Sequence, residues 1–115
     1  MKSQRAVIRA SAADALGEMR DPRAVAALTP LLRDKSDEVV LWATLAMSKL
    51  GDASVQALGS TLEEEAGTLP RAGYLADALS KTGTPDARKR LRRALSLLGV
   101  DARTRLLAFI DVQDL

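Results

Sequence analysis

The chain repeats itself with a period of about 31 residues, and this repeat limits the folds that are open to it. Three segments end alike: AADALGEMRD at 12–21, ATLAMSKLGD at 43–52 and LADALSKTGT at 75–84. Ala15, Ala46 and Ala78 are equivalent, at spacings of 31 and 32 residues. A further step of 31 reaches Phe109 in the segment RLLAFI. The chain therefore holds about three and a half units.

Turn signals divide each unit into two helices. Asp21-Pro22 and Thr84-Pro85 each offer a capping side chain followed by proline at the first helical position, where its missing N–H costs nothing. Gly51 and Gly83 follow helical runs, as a left-handed C-terminal residue does. Apolar residues recur at helical spacing, and no segment alternates as a strand would. Further N-caps are expected at Ser36 or Asp37, at Asp52, at Thr68-Leu69-Pro70 and at Asp101.

These signals predict an all-α fold, an α-solenoid of about 3.5 helix pairs with about seven helices. The predicted helices span roughly 3–19, 22–34, 37–50, 53–66, 69–82, 85–98 and 102–112. Pro30 lies inside the second of them and should kink it.

The segment from Ile8 to Asp52 resembles a HEAT repeat of the short, alanine-rich bacterial kind, also found in phycobilin lyases. The residues that carry the resemblance are Ile8-Arg9, Ala12-Ala13, Ala15-Leu16-Gly17 and Asp21-Pro22-Arg23-Ala24-Val25. It weakens after Ser54, where one link residue is missing and Arg71-Ala72 replaces Val-Arg. The resemblance implies a solenoid in which the first helix of each pair lies on the convex side and the second lines the concave side. We expect residues 1–115 to form a single HEAT-like domain, or a fragment of a longer repeat protein.

The family pattern also implies which positions of each second helix face the concave side. The single tryptophan, Trp42, and the single tyrosine, Tyr74, occupy the same column one repeat apart. Leu41 and Leu45 lie beside Trp42, and Gly73 would leave room for a ligand to approach the backbone. The four positions in successive units are Arg9, Ala10, Ser11 and Asp14; Val40, Leu41, Trp42 and Leu45; Ala72, Gly73, Tyr74 and Asp77; and Arg103, Thr104, Arg105 and Ala108.

An apolar, aromatic centre within a charged rim is typical of a protein-binding hot spot. The hypothesis is that the protein is an interaction module or adaptor that binds a peptide or helix of a partner protein. The binding ridge would be Leu41, Trp42, Leu45 and Tyr74, with Arg9, Asp77, Arg103 and Arg105 on the rim. Two alternatives stay open: Trp42 belongs to the core, or the open end of the solenoid, which begins with an unpaired second helix, forms a homodimer.

The run from Arg88 to Arg93 is the most basic part of the chain. On a helix, Arg88 and Arg92 form one row and Lys89 and Arg93 the next, and such rows could bind nucleic acid or another anionic ligand. The run lies on a first helix, away from the aromatic column, and base stacking needs basic and aromatic residues on one surface. A solvated face is the favoured interpretation.

Composition and motifs argue against an enzyme. The chain has no cysteine and no histidine, so it lacks thiolate metal sites, the commonest metal ligand and the usual general base. Adjacent helical residues diverge, so Glu63, Glu64 and Glu65 cannot converge on a metal ion, and the Ser48-Lys49 and Ser80-Lys81 pairs cannot act as dyads. We expect no cofactor and no catalytic residue. A phycobilin lyase-like role is a minor alternative, since the groove of so few units is small.

The longest uncharged apolar run is nine residues, Val39 to Met47, too short to cross a bilayer. No secretory leader is visible, so a cytoplasmic location is the default expectation. The net charge of +2 does not by itself indicate nucleic acid.

Overall fold

The structure, a computed structural model, describes residues 2–65 and 68–110. Every regular element in this part of the chain is helical, and it contains no strand. The α-helices are Lys2–Glu18 (α1), Ala24–Leu28 (α2), Asp37–Ser48 (α3), Val55–Glu65 (α4), Arg71–Thr82 (α5), Pro85–Ser96 (α6) and Val100–Leu107 (α7). Two 3-10 segments join them: Thr29–Arg33 continues α2, and Gly51–Ser54 leads into α4.

The helices form two layers, because each helix packs against its equivalent in the next unit. In one layer α1 packs on α3, α3 on α5, and α5 on α7. In the other, the 3-10 continuation of α2 packs on α4, and α4 on α6. The described residues extend over 39 × 29 × 20 Å. This arrangement confirms the predicted all-α, solenoid-like fold.

Leucine and alanine side chains from both layers form one continuous core. The first helices supply Leu28, Leu58 and Leu91, and the second helices supply Met47 and Leu75, all fully buried. Small buried alanines also contribute to this core: Ala13, Ala43, Ala46, Ala76 and Ala94.

Gly17 shows how closely α1 and α3 approach each other. A methyl group on Gly17 would come within 2.6 Å of the Ala46 Cα and 2.7 Å of its Cβ. No real side chain tolerates such contact with backbone. Glycine at this crossing is therefore required by packing.

Ion pairs between neighbouring units follow the repeat. Arg33 pairs with Glu64 at 2.6 Å, Glu18 pairs with Lys49, and both pairs join residues 31 apart. Asp37 of α3 pairs with Arg71 of α5 at 2.8 Å. Such pairs are partly exposed and contribute little stability singly. They show that successive units stack in one register.

Several predicted helix ends are confirmed. Thr84 caps α6, accepting a hydrogen bond from the Ala87 N–H at 3.1 Å. Gly51 and Gly83 have φ of 63° and 75°, the left-handed conformation that glycine adopts at little cost. Ser36 is the N-cap of α3 by position, although its side chain makes no capping bond.

Other predicted ends were wrong. The second helix is α-helical only over five residues, and Pro30 lies in the 3-10 segment that follows, since proline cannot donate the α-helical hydrogen bond.

Asp21 does not cap a helix at Pro22; it accepts hydrogen bonds from the backbone and side chain of Arg23. Residues around Asp52 form a 3-10 turn, held by hydrogen bonds from the Ser54 hydroxyl to the Met47 and Gly51 carbonyls. Helix α7 begins at Val100, so Asp101 lies in its first turn, and residues 111–112 lie outside the described part.

Gly17→Ala should lower the free energy of unfolding by about 1–3 kcal/mol, the usual cost of overpacking, because its methyl group meets backbone that cannot move aside. Denaturant unfolding monitored by circular dichroism measures the change. Ala15→Ser, an exposed change in the same helix, should shift stability by only about 0.5 kcal/mol or less. Equal effects of the two changes would show that α1 and α3 are not so closely packed.

Candidate functional site

The two aromatic rings of the predicted column are both accessible on the layer formed by α1, α3, α5 and α7. Trp42 is 37% exposed and Tyr74 is half-buried. Their neighbours on the core side, Val40 and Ala72, are fully buried. The indole is therefore a surface group rather than a core side chain, and the alternative that placed Trp42 in the core was wrong.

Leu41 and Leu45 lie on the same helix as Trp42 and are half-buried. Their exposed parts add apolar surface to the layer. The adjacent Thr44 is buried, and its hydroxyl donates a hydrogen bond to the Leu41 carbonyl at 2.8 Å. The indole of Trp42 is therefore the most exposed part of this apolar surface of α3, and Leu41 and Leu45 contribute smaller exposed areas.

A cleft of about 220 Å³ opens between α1 and α3, and Trp42 forms part of its wall. Ala10, 5% exposed, is the most deeply buried of the lining residues, and Asp14 is half-buried. The other lining residues, all exposed, are Val7, Ser11 and Glu38. Val7 and Glu38 were not among the residues predicted from the sequence, although each lies four residues, one helical turn, before a column position, Ser11 or Trp42.

The space predicted beside Gly73 is occupied by the protein itself. A methyl group on Gly73 would come within 2.5 Å of the Phe109 ring, which packs against the helix at this point. The same ring meets Tyr74 edge-to-face, with ring centroids 6.4 Å apart and planes at 86°. The expectation that Gly73 admits a ligand was wrong. Instead, Gly73 lets the last unit dock on α5.

Arg9 is not a free rim charge. Its Nε and Nη2 donate hydrogen bonds to both Asp34 carboxylate oxygens, at 2.7 and 3.0 Å. Asp34 also accepts a hydrogen bond from the Ser36 N–H at 2.9 Å. These bonds, chiefly those from Arg9, hold the pKa of the Asp34 carboxyl below its ordinary value against the opposing effect of burial. The pair ties α1 to the segment before α3.

Two further rim residues have partners within the fold. The Arg103 guanidinium donates hydrogen bonds to the Leu95 and Leu98 carbonyls at 3.0 and 3.1 Å, which satisfies the C-terminal end of α6. Asp77 pairs with Lys81 at 2.9 Å, one turn along α5. Arg105 is exposed and has no ion-pair partner among residues 2–65 and 68–110. The structure therefore does not assemble the predicted rim into one charged ring.

The basic run contributes to a groove on the other layer, between α4 and α6. Its volume is about 630 Å³, and its lining residues are Asp52, Val55, Gln56, Asp86, Lys89, Arg90 and Arg93. Arg90 donates a hydrogen bond to Ser60 at 3.0 Å and packs over Gly59. Its buried Nε has no hydrogen-bond partner among the described residues and lies 3.7 Å from Glu63 Oε1. Arg88 and Arg92 are exposed and lie outside the lining, so only one of the two predicted rows faces the groove.

The end of the solenoid at α1 exposes an apolar stripe. Ile8 and Met19 are each 67% exposed, and Ala12 and Ala15 between them are also exposed. The equivalent residues one repeat later are all buried: Val39, Ala43, Ala46 and Leu50. The stripe is the surface through which a homodimer was predicted, and that homodimer stays a prediction.

The repeated serine–lysine pairs are engaged in structural contacts. Ser48 and Ser80 donate hydrogen bonds to carbonyls of their own helices, at 2.6 and 2.7 Å, while Lys49 and Lys81 pair with Glu18 and Asp77. In the described part of the chain, no three acidic side chains are grouped as metal ligands would be. No helix within that part is long and apolar enough to cross a membrane.

A family model for HEAT repeats matches residues 1–76, more than half of the chain. The chain belongs to the HEAT repeat family. HEAT repeats generally mediate protein–protein interaction, through the extended surfaces that stacked units create. No curated protein and no solved structure matches this HEAT repeat protein. The narrower resemblance to phycobilin lyases stays an expectation.

The unmatched part of this HEAT repeat protein continues the same stacking. Helices α6 and α7 lie beyond residue 76, yet α6 packs on α4 and α7 on α5, as in the earlier units. The architecture therefore extends past the matched segment.

Asp34→Asn should lower the free energy of unfolding at neutral pH, because the depressed pKa of Asp34 means that its ionised form stabilises the fold. This stabilisation is present above the unfolded pKa, about 3.9, and is lost as the pH falls towards the lower folded pKa. The difference in the free energy of unfolding between Asp34→Asn and wild type should therefore become smaller below about pH 4. Denaturant unfolding at a series of pH values measures this difference. Asp52→Asn, an exposed carboxylate with no ion-pair partner in the described residues, is the control. A difference that stays constant down to about pH 2 would contradict the pairing.

Proposed function

We propose that this HEAT repeat protein is an interaction module that binds a peptide or helix of a partner protein on the face formed by α1, α3, α5 and α7. The observation that carries the proposal is the exposed indole of Trp42 on the wall of the α1–α3 cleft. A large aromatic side chain left in water costs free energy that a partner recovers on binding. Tyr74, Leu41 and Leu45 extend the same surface with half-buried apolar area.

The size of this surface suits a short segment better than a large domain. Complete burial of a large apolar side chain contributes about 1.5–3 kcal/mol, and the four side chains here are already partly buried. Loss of translational and rotational freedom opposes this gain. The net gain therefore corresponds to weak binding, with a dissociation constant of about 1 μM or higher, which suits the recognition of a short peptide. The proposal assigns no reaction to the protein.

A second candidate function is the binding of an anionic ligand, such as nucleic acid, in the α4–α6 groove. The observation that favours it is the groove itself, at about 630 Å³, with Lys89, Arg90 and Arg93 in its lining. Against it, Asp52 and Asp86 line the same groove, and Arg90 is partly neutralised by Glu63. The groove therefore has only a small excess of positive charge.

If the groove binds nucleic acid, a short oligonucleotide should lose affinity steeply with salt, and Lys89→Ala/Arg93→Ala should reduce the slope of log affinity against log salt by about 1–2. Fluorescence anisotropy at several salt concentrations gives this slope. Arg88→Ala/Arg92→Ala is the matched control, since it removes the same charge from outside the groove. Equal slopes for the two double variants would remove the groove as the binding site.

The leading proposal predicts that Trp42→Ala weakens peptide binding by about tenfold or more, as loss of a central aromatic anchor does. Peptides would first be selected from a random displayed library against the wild-type protein. Their affinities for the variants would then be measured by calorimetry.

Leu97→Ala is the matched control for this experiment. Leu97 is 70% exposed and lies at the end of α6, in the other layer, so the change removes apolar surface away from the proposed face. Circular dichroism checks that both variants keep their helices. If the selected peptides bind Trp42→Ala as tightly as wild type, the face formed by α1, α3, α5 and α7 is not the binding site.

A further inference from the structure

We propose that the α1–α3 cleft receives a basic side chain, lysine or arginine, from the bound partner. This inference rests on the proposed function and adds the chemistry of the residue that enters the cleft. The cleft is lined by Val7, Ala10, Ser11, Asp14, Glu38 and Trp42.

The cleft exists because the first unit differs from the second at the column positions. Where α3 has Leu41, Trp42 and Leu45, α1 has the smaller residues Ala10, Ser11 and Asp14. The stacking of α1 on α3 is otherwise close, as Gly17 shows. Smaller side chains on one wall of a fixed crossing leave space that the backbone cannot close. The opening is thus encoded in the difference between two repeats.

The dimensions suit a single side chain. Pockets that hold whole small molecules have volumes of about 300–1,000 Å³, and the cleft is smaller, at about 220 Å³. Its lining also combines two kinds of residue: apolar ones, Val7, Ala10 and Trp42, and polar ones, Ser11 and the two carboxylates. Lysine and arginine combine an apolar stem with a charged end in the same way.

The charges of the lining favour a cation. Asp14 and Glu38 line the cleft, and neither has an ion-pair partner among the side chains that the structure describes, those of residues 5–65 and 68–110. Within that same set no cation lies in the lining, and Arg9, next to Ala10 in sequence, is held by both oxygens of Asp34. An apolar occupant would take water away from two carboxylates without replacing it. A cation replaces that water with charge-assisted hydrogen bonds.

The indole supplies a second attraction for the same group. Tryptophan is the aromatic side chain that attracts cations most strongly, through the negative face of its ring. Trp42 is 37% exposed and shares the lining with both carboxylates. The cleft therefore offers the cation an aromatic side chain and two anions within one small volume.

The test uses random displayed peptides selected against the wild-type protein and, separately, against Asp14→Asn/Glu38→Gln. The wild-type selection should enrich lysine or arginine at one position of the peptides, and the selection on the double variant should lose this preference. A selected peptide is then synthesised with its basic residue kept, or replaced by norleucine or citrulline, which lack the charge. Calorimetry should show that the double variant binds the basic peptide about three- to tenfold more weakly, as expected for the loss of two exposed charge pairs while the contact with Trp42 is kept. It should bind the norleucine peptide at least as tightly as the wild type does, because neutral amides lose less than carboxylates when water is removed.

Asp52→Asn/Asp86→Asn is the matched control, because it removes the same charge from the groove on the other layer. It should leave the affinity for the basic peptide unchanged at physiological salt, where distant charges are screened. Circular dichroism verifies that each variant is folded. A further variant, Ser11→Leu, fills the cleft with a larger apolar side chain and should also weaken binding of the basic peptide.

The outcomes separate the two proposals. If selection yields no peptides, or only peptides that are insensitive to Trp42→Ala, the proposed function fails and this inference fails with it. If the peptides depend on Trp42 but show no basic enrichment and no response to Asp14→Asn/Glu38→Gln, the proposed function stands and the basic side chain is rejected. If lysine or arginine is enriched but both double variants lose the same affinity for the basic peptide, the attraction is a general effect of protein charge and not of the cleft. That result would also reject the proposal that the cleft receives a basic side chain.

Discussion

Close stacking of the second helices is the interaction on which the rest of the structure depends. At the α1–α3 crossing, Gly17 lies against the backbone of Ala46 so closely that one added methyl group would meet it at 2.6 Å. The separation of packed helices is set by the side chains at their contact, and small residues permit a short one. Helix α3 packs on α5 as α1 packs on α3, so equivalent positions of successive units lie side by side. The accessible column that contains Ser11, Trp42 and Tyr74 is a consequence of this register.

Divergence between the units gives this regular array its distinctive surface. The second unit places leucine and tryptophan in the column, and the first places alanine, serine and aspartate there. At the other end, the Phe109 ring occupies the space beside Gly73, so the residues that follow α7 pack directly against α5. Within the column of the second helices, the accessible features that remain are the indole, the half-buried Tyr74 ring and the cleft next to the indole. Residues that differ between repeats, rather than those that recur, carry the proposed specificity.

Local rules predicted the architecture well. The helices were located from the turn-forming prolines and glycines, the repeated alanines and the helical spacing of apolar residues. Thr84 caps α6 and Gly83 ends α5 as predicted, because these roles depend only on neighbours in sequence. Pro30 was correctly recognised as a disturbance, although it produces a 3-10 segment rather than a kinked α-helix. The end of a helix depends on small free-energy differences between competing turns, which sequence reasoning does not rank.

The candidate site was only partly predictable, because its charges choose partners from distant parts of the chain. Arg9 looked like a rim residue until its partner, Asp34, 25 residues away, was known. Arg103 was assigned to a ligand but instead satisfies carbonyls at the end of α6, a need that only the packed structure reveals. The space at Gly73 was assigned correctly and its occupant was not. Glu38, by contrast, was within reach of sequence reasoning, since it lies one helical turn before Trp42.

Collisional quenching of the fluorescence of Trp42, the only tryptophan, tests the central claim most directly. That claim is that the register of the stacked helices leaves the indole accessible, beside the carboxylates of Asp14 and Glu38. Relative to free N-acetyltryptophanamide, caesium should quench Trp42 more effectively than iodide, because the carboxylates of Asp14 and Glu38 in the cleft lining raise the local concentration of cations. Emission that neither ion quenches, as from a buried indole, would contradict the account. Stronger quenching by iodide would contradict it equally.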